Sequence, residues 1–277
     1  MSRLPVRLVA AASAIAIVTA LSACAGPGTD APASDYVTDG KITIGTGEPA
    51  FFPYVIDDDP TTGKGFESAV AYAVAEELGF AKEDVVWVRT GFDEVIAPGP
   101  KNFDFNIQQF SITDERKQQV DFSSPYYEAT QAVITVEGSA AAGATSIADL
   151  KDLLIGAATG TTSLQAVEQT IKPTKGAQVF NTNDDAKLAL QSGQVDAIVV
   201  DLPTAFYITG VELEGGKIVG QLPATSGISD QWGLLLAKDS PLTSDVTAAV
   251  DSLRDSGTLD ELVATWLGAD AGAPFLK

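Results

Sequence analysis

Apolar positions along this 277-residue chain switch repeatedly between a period of two and a period near 3.6. Residues 41–46 (KITIGT) alternate apolar and polar, which predicts a strand. Phe66, Ala69, Val70, Ala73, Val74 and Leu78 then recur at helical spacing, and Gly79 supplies a stop. Next come a predicted strand at 85–88, a helical turn at 92–96, a strand at 104–108 and an apolar strand at 132–136. Gly, Ala and Ser dominate 138–144, after which the pattern restarts. The restart predicts strand 153–158, helix 162–171, strand 178–180, helix 184–192 and strand 195–200. The last part adds a strand at 232–237 and two helices. The second helix has Thr258 and Glu261 at capping-box spacing ahead of Leu262, Val263, Trp266 and Leu267. An alternation that restarts midway through a body of about 235 residues predicts two α/β lobes.

The N-terminus changes the picture of where this body works. Arg3 and Arg7 flank the start of an apolar run over residues 8–21, closed by Leu21-Ser22-Ala23-Cys24. The run has the length of a signal-peptide core and falls short of the ~20 residues that span a bilayer as a helix. Leu-Ser-Ala-Cys resembles the bacterial lipobox, which implies a signal peptide at 1–23 and a lipid on Cys24. The expected location is therefore outside the cytoplasm, anchored to the cell membrane through that lipid. Residues 24–40 are small, polar and turn-forming without apolar periodicity, so a flexible tether is expected there.

Composition removes whole classes of chemistry. The chain has no histidine, which excludes Ser-His-Asp and Cys-His catalysis and imidazole zinc sites. Cys24 is the single cysteine, so no disulfide or thiolate metal site is expected once it carries lipid. No metal, cofactor or catalytic residue is expected. The net charge of −20 repels nucleic acid and anionic lipid.

Three segments carry candidate binding chemistry. Residues 103–127 (FDFNIQQFSITDERKQQVDFSSPYY) place Ser111, Thr113 and Arg116 between a strand and a Phe-Ser-Ser-Pro-Tyr turn at 122–126. An arginine that grips a carboxylate does so through a planar fork, with hydroxyls and free N–H groups beside it. Residues 155–163 run from a strand into Gly160-Thr161-Thr162 and then a helix, where exposed N–H groups and hydroxyls attract an anion. The alternative there is a plain threonine N-cap. Asp201 follows an apolar strand at its C-terminal end, where ligands of open α/β sheets bind. It could receive an ammonium group or simply cap the loop before Pro203. Taken together, a carboxylate receptor and an ammonium receptor point to an α-amino acid.

From about residue 41 to 268 the chain resembles the family 3 extracellular solute-binding proteins, the amino-acid receptors of ABC importers. The resemblance rests on Gly65-Phe66-Glu67, the Ser111–Arg116 block, Phe122-Ser123-Ser124-Pro125-Tyr126, Thr159-Gly160-Thr161-Thr162 and Val200-Asp201. It implies a two-lobe, type II periplasmic-binding-protein-like fold with two hinge strands. Lobe 1 would be residues 41–133 plus 232–277, and lobe 2 residues 134–231. It also implies that Arg116 and Ser111 hold the α-carboxylate with Thr161 and Thr162, and that Asp201 holds the α-ammonium. Phe51 or Phe52 would pack on the ligand side chain. Two positions depart from the family pattern: Gln108-Gln109-Phe110 replaces small residues before the Ser-x-Thr turn, and Gly-Phe-Glu replaces Gly-Phe-Asp. Gln109 could reach the pocket as an amide. Glu48 stands where relatives often carry an acid facing the ligand's side chain, which favours a polar or basic amino acid; the alternative is a solvated loop acid.

The expected partners are that amino acid and an ABC permease, with the chain a monomer. Two other readings share the fold. One is an enzyme like cyclohexadienyl dehydratase, and the other is a ligand-sensing lipoprotein.

Overall fold

The computed structural model describes residues 35–224, 230–268 and 273–277. The signal-like segment, Cys24 and the tether up to residue 34 lie outside the described residues.

Strand β1 (Ile42–Gly47) is buried along its whole length. It has a parallel neighbour on each side, β2 (Val85–Thr90) and the short β3 (Phe105–Asn106). The helix between β1 and β2 is α1 (Phe66–Glu77), and α2 (Phe92–Ile96) follows β2. The ten-residue β4 (Val120–Ala129) closes the edge of this sheet, whose order is β2-β1-β3-β10-β4, with β10 at Asp230–Ala237. The second sheet runs β7-β6-β8-β5-β9, built from β5 (Gln131–Val136), β6 (Ile155–Ala158), β7 (Gln178–Phe180), β8 (Ala197–Asp201) and β9 (Gly216–Gln221). Its helices are α3 (Thr162–Ala166), which continues in wider turns to Ile171, α4 (Asn183–Gln191) and α5 (Leu202–Tyr207). The chain then returns to the first sheet through β10 (Asp230–Ala237), α6 (Thr243–Asp255) and α7 (Thr258–Trp266).

Each sheet has its own core. Ile42, Ile44, Phe66, Val70, Val74, Phe105, Trp232, Leu234 and Val250 pack between the first sheet and its helices. Ile155, Ala157, Val167, Val199 and Leu276 lie on one face of the second sheet, and Ile134, Leu190, Ile198 and Val200 on the other. The chain passes between the sheets at Ala129–Gln131, from β4 into β5, and again between β9 and β10. Leu222 N–H donates to Gln131 O at 2.8 Å, so the second crossing leaves β9 beside the start of β5. This is the two-lobe α/β fold expected from the sequence.

The structure departs from the sequence reading in several places, each with a physical reason. The Phe-Ser-Ser-Pro-Tyr segment is part of β4 and not a turn. Pro125 is tolerated because β4 is an edge strand and its pairing with β10 slips at Gly233, opposite Pro125. Strand β9 went unread because glycines at 216 and 220 interrupt its apolar pattern. Helix α5 was masked by Pro203, which stands in the first turn where a missing N–H costs nothing. The capping box at Thr258 does not form: left-handed Gly257 is the N-cap, and the Thr258 hydroxyl pairs with Ser256 at 2.9 Å. The end of the expected tether is docked on the first lobe. Val37 N–H donates to Asp104 Oδ1 at 2.8 Å, and Tyr36 meets Phe80 edge-on. The C-terminal tail, expected with lobe 1, lies on the second sheet, where Leu276 N–H donates to Gln221 O.

Candidate functional site

The loops at the facing ends of β1, β2 and β3 meet those of β6 and β8 around a cavity of 350 Å³. Glu48, Phe51, Phe92, Gln108, Gln109, Ser111 and Arg116 line it from the first lobe. Thr161, Thr162, Ser163, Asn183 and Asp201 line it from the second.

Arg116 is buried to 6 % exposure at the centre of this junction. A short turn places it, with its N–H donating to Thr113 Oγ1 at 3.1 Å. Its guanidinium donates to Ser111 O at 2.7 Å and, across the cleft, to Gly160 O at 2.8 Å, and it lies 5.4 Å from the centre of the Phe92 ring. Five N–H donors on a guanidinium leave others for a ligand. Burial lowers its pKa, and Asp230 and Asp201 oppose that shift. Gly160 has φ +70°, a left-handed backbone that favours glycine, and a Cβ there would push the Asp93 carboxylate aside.

Thr161 is the N-cap of α3, its hydroxyl accepting from Leu164 N–H at 3.1 Å. The Thr162 hydroxyl lies 3.2 Å from Ser111 Oγ, a second contact between lobes. Tyr54 OH and Thr204 Oγ1 make a third at 2.8 Å.

Asp201 ends β8 and accepts from Gln131 Nε2 at 2.6 Å. The same Nε2 also donates to Asp230, and Ser163 Oγ donates to Gln131 Oε1 at 2.7 Å. Burial pushes the Asp201 carboxyl up to about 8, and Asp230 adds to the shift, while Gln131 and Arg116 oppose it. A carboxyl held this way regains its charge when a cation arrives.

Two of the expected residues stand elsewhere. Phe52 is exposed and stacks on Tyr207 of the second lobe, with ring centres 4.4 Å apart. Phe51 is the aromatic at the cavity. Thr113 is outside the cavity and supports the Arg116 backbone instead. Sequence reasoning missed Phe92, Asp93, Glu94, Gln131 and Asn183. The Phe92-Asp93-Glu94 turn was visible as helical, but nothing in its spacing showed which side faced the cleft. Gln108 Oε1 and Asn183 Oδ1 are buried cavity-lining acceptors without a donor. With Glu48, Asp93 and Glu94 also on the wall, the cavity is rich in acceptors.

Two α/β lobes joined by paired crossings, with a polar cavity between them, define a type II periplasmic-binding-protein-like receptor. The chain belongs to the bacterial extracellular solute-binding proteins of family 3, whose family model matches residues 42–269. Its role is therefore substrate binding outside the cytoplasm.

An L-arginine-binding protein of Pseudomonas aeruginosa is 29% identical over 85% of this chain and 91% of its own length. A probable histidine-binding protein of Campylobacter jejuni is 31% identical over 88% of this chain and 91% of its own. Among solved structures, an ancestral amino acid-binding protein described as a precursor of cyclohexadienyl dehydratase aligns with TM-score 0.67 at 29% identity. That alignment covers 82% of this chain and 95% of the ancestral one.

Proposed function

We propose that this chain is the substrate-binding lipoprotein of an ABC importer and captures a polar or basic α-amino acid between its lobes. The observation that carries this reading is that Arg116 and Asp201 face one cavity from opposite lobes. Arg116 and Ser111, joined by Thr162 and by the backbone N–H of Thr161, hold the α-carboxylate; the Thr161 hydroxyl itself donates to Ala158 O at 2.7 Å. Asp201 takes the α-ammonium, and Phe51 packs on the side chain. Glu48, Asp93, Glu94, Gln108 and Asn183 supply acceptors for N–H groups at its tip, and a buried acceptor left unpaired costs about 1–3 kcal/mol. Gln109 also meets the side chain. The relatives named for arginine and histidine support a cationic or amide-bearing ligand.

Lobe 1 holds the carboxylate first, and closure of lobe 2 completes the site. Only contacts made in the closed state can drive that closure and present the permease with a distinct shape. The lobes divide at the β4–β5 and β9–β10 crossings. The protein acts as a monomer and is anchored through lipid on Cys24.

Catalysis is not part of this reading, because the named relatives are binding proteins. The likeness to a dehydratase precursor keeps an enzymatic alternative specific enough to test, with prephenate and arogenate as substrates. Turnover of either would replace the receptor reading. Titration calorimetry of Arg116→Ala tests the site itself. Loss of a buried charge-assisted contact is expected to cost on the order of 2–5 kcal/mol, roughly 30-fold or more in Kd. Near wild-type affinity would overturn the assignment.

A further inference from the structure

Behind the cavity wall sits a carboxylate that the binding reading does not use. Glu67, in the first turn of α1, is 1 % exposed. Its Oε1 accepts from Tyr126 OH and from Gln109 N–H, the latter at 2.8 Å, and its Oε2 accepts from Gln109 Nε2. Gln109 is thus held twice by one carboxylate, once through its backbone and once through its side chain. Its φ of +48° lies in the left-handed region that a glutamine rarely adopts, so the backbone contact helps hold an otherwise disfavoured conformation.

An amide has a donor end and an acceptor end. With Nε2 turned back onto Glu67, Oε1 is the polar atom that Gln109 has left for the cavity it lines. We propose that Glu67 is a positioning residue that sets which end of the Gln109 amide meets the ligand, and so sets the preference for side chains bearing N–H donors. This rests on the reading of the cavity as an amino-acid site.

The arrangement can reverse. An ionised Glu67 is acceptor-only and demands the Nε2 end. A protonated Glu67 takes its proton from solvent and has an O–H to donate. It can then hold Oε1 and turn Nε2 toward the cavity, where it would repel a cationic tip. Burial pushes Glu67 up to about 7, opposed by its bonds to Tyr126 and Gln109. The titratable groups facing it are Tyr126 from β4, Tyr54 from the segment before α1 and, across the cavity, Asp201 from β8.

The test is the pH profile of arginine affinity between pH 5.5 and 8.5, with lysine and ornithine as further donor-only probes. Asp201 adds an ammonium-linked pH dependence of its own, which Gln109→Ala leaves in place and Glu67→Gln moves to lower pH, because the Glu67 charge helps raise the Asp201 carboxyl. In Glu67→Gln, the wild-type weakening toward pH 5.5 is expected to shrink by on the order of tenfold, the worth of one hydrogen bond made or left unmade. Gln109→Ala keeps the Glu67 charge, and with it the Asp201 titration, while removing the amide, so it is the cleaner variant and is expected to lose the Glu67-linked part of the profile. Should Glu67→Gln fail to fold, Tyr126→Phe serves in its place. It removes one donor from the carboxylate and should move the midpoint upward. A profile unchanged in Glu67→Gln, or retained in Gln109→Ala, overturns the proposal. Binding only of amino acids without cationic side chains overturns it and leaves the receptor reading standing. Binding of no amino acid at any pH sinks both.

Discussion

At the residue scale, two buried carboxyls make the unliganded protein sensitive to pH. Glu67 and Asp201 have folded-state values of about 7 and about 8, raised above those of an unfolded chain. A raised carboxyl means the folded state binds the extra proton. Its stabilising contribution is therefore fully present below the unfolded value and is lost as pH rises through the folded one. The melting temperature is expected to fall between pH 5 and pH 8.5. Glu67→Gln should flatten the part below about 7, since the Glu67 contribution is lost between the unfolded value near 4.5 and the folded one, on the order of 3 kcal/mol in all. A melting temperature that rises over this range would contradict the assignment. A bound amino acid should reverse part of the trend, because its ammonium favours ionised Asp201. Arg116, Ser111 and Asp201 were legible in the sequence because each carries a charge or hydroxyl beside a recognisable break in pattern. Glu67 was not, since a lone acid in the first turn of a helix ordinarily reads as a dipole partner in solvent.

At the element scale, helices and buried strands followed their apolar period closely, and α2 spans the residues expected. What failed to read were elements whose punctuation points the wrong way. Pro125 in β4, Pro203 in α5 and the glycines of β9 are all turn signals; Pro125 is tolerated at an irregular edge pairing and Pro203 in the first turn of its helix. One turn carries a functional consequence at this scale. Gly160 brings the β6–α3 turn against Arg116 and Asp93 in a left-handed conformation, and a Cβ there would displace the Asp93 carboxylate. Gly160→Ala is expected to leave each lobe folded while weakening ligand affinity severalfold, because the left-handed backbone is strained and the Asp93 carboxylate must move aside. Calorimetric Kd values together with an unchanged circular dichroism spectrum would check this. Unchanged affinity would mean that the turn need not close on Arg116.

At the scale of the whole molecule, the two-lobe plan was legible because the β-α alternation visibly restarts. The placement of the tail was not, since five residues give no period to read. Docking of Leu276 on the second sheet ties the C-terminus to the lobe opposite α7. The net charge of −20 is consistent with a body held near a membrane without adhering to anionic lipid. In the proposed reading, anchoring falls to the lipid on Cys24. Cys24→Ala is expected to move the protein from the membrane fraction to the soluble extracytoplasmic fraction while its ligand affinity stays the same. Retention in the membrane would contradict the lipid anchor.

The central claim is that the cleft captures an amino acid, and thermal-shift screening tests it most directly. The soluble body would be refolded to strip carried-over ligand, then screened against the twenty amino acids, ornithine, citrulline and cystine. A ligand that binds only the native state must raise the melting temperature. Shifts confined to a few cationic or amide-bearing amino acids, abolished in Arg116→Ala, are the expected result. No shift with any of them would contradict the account.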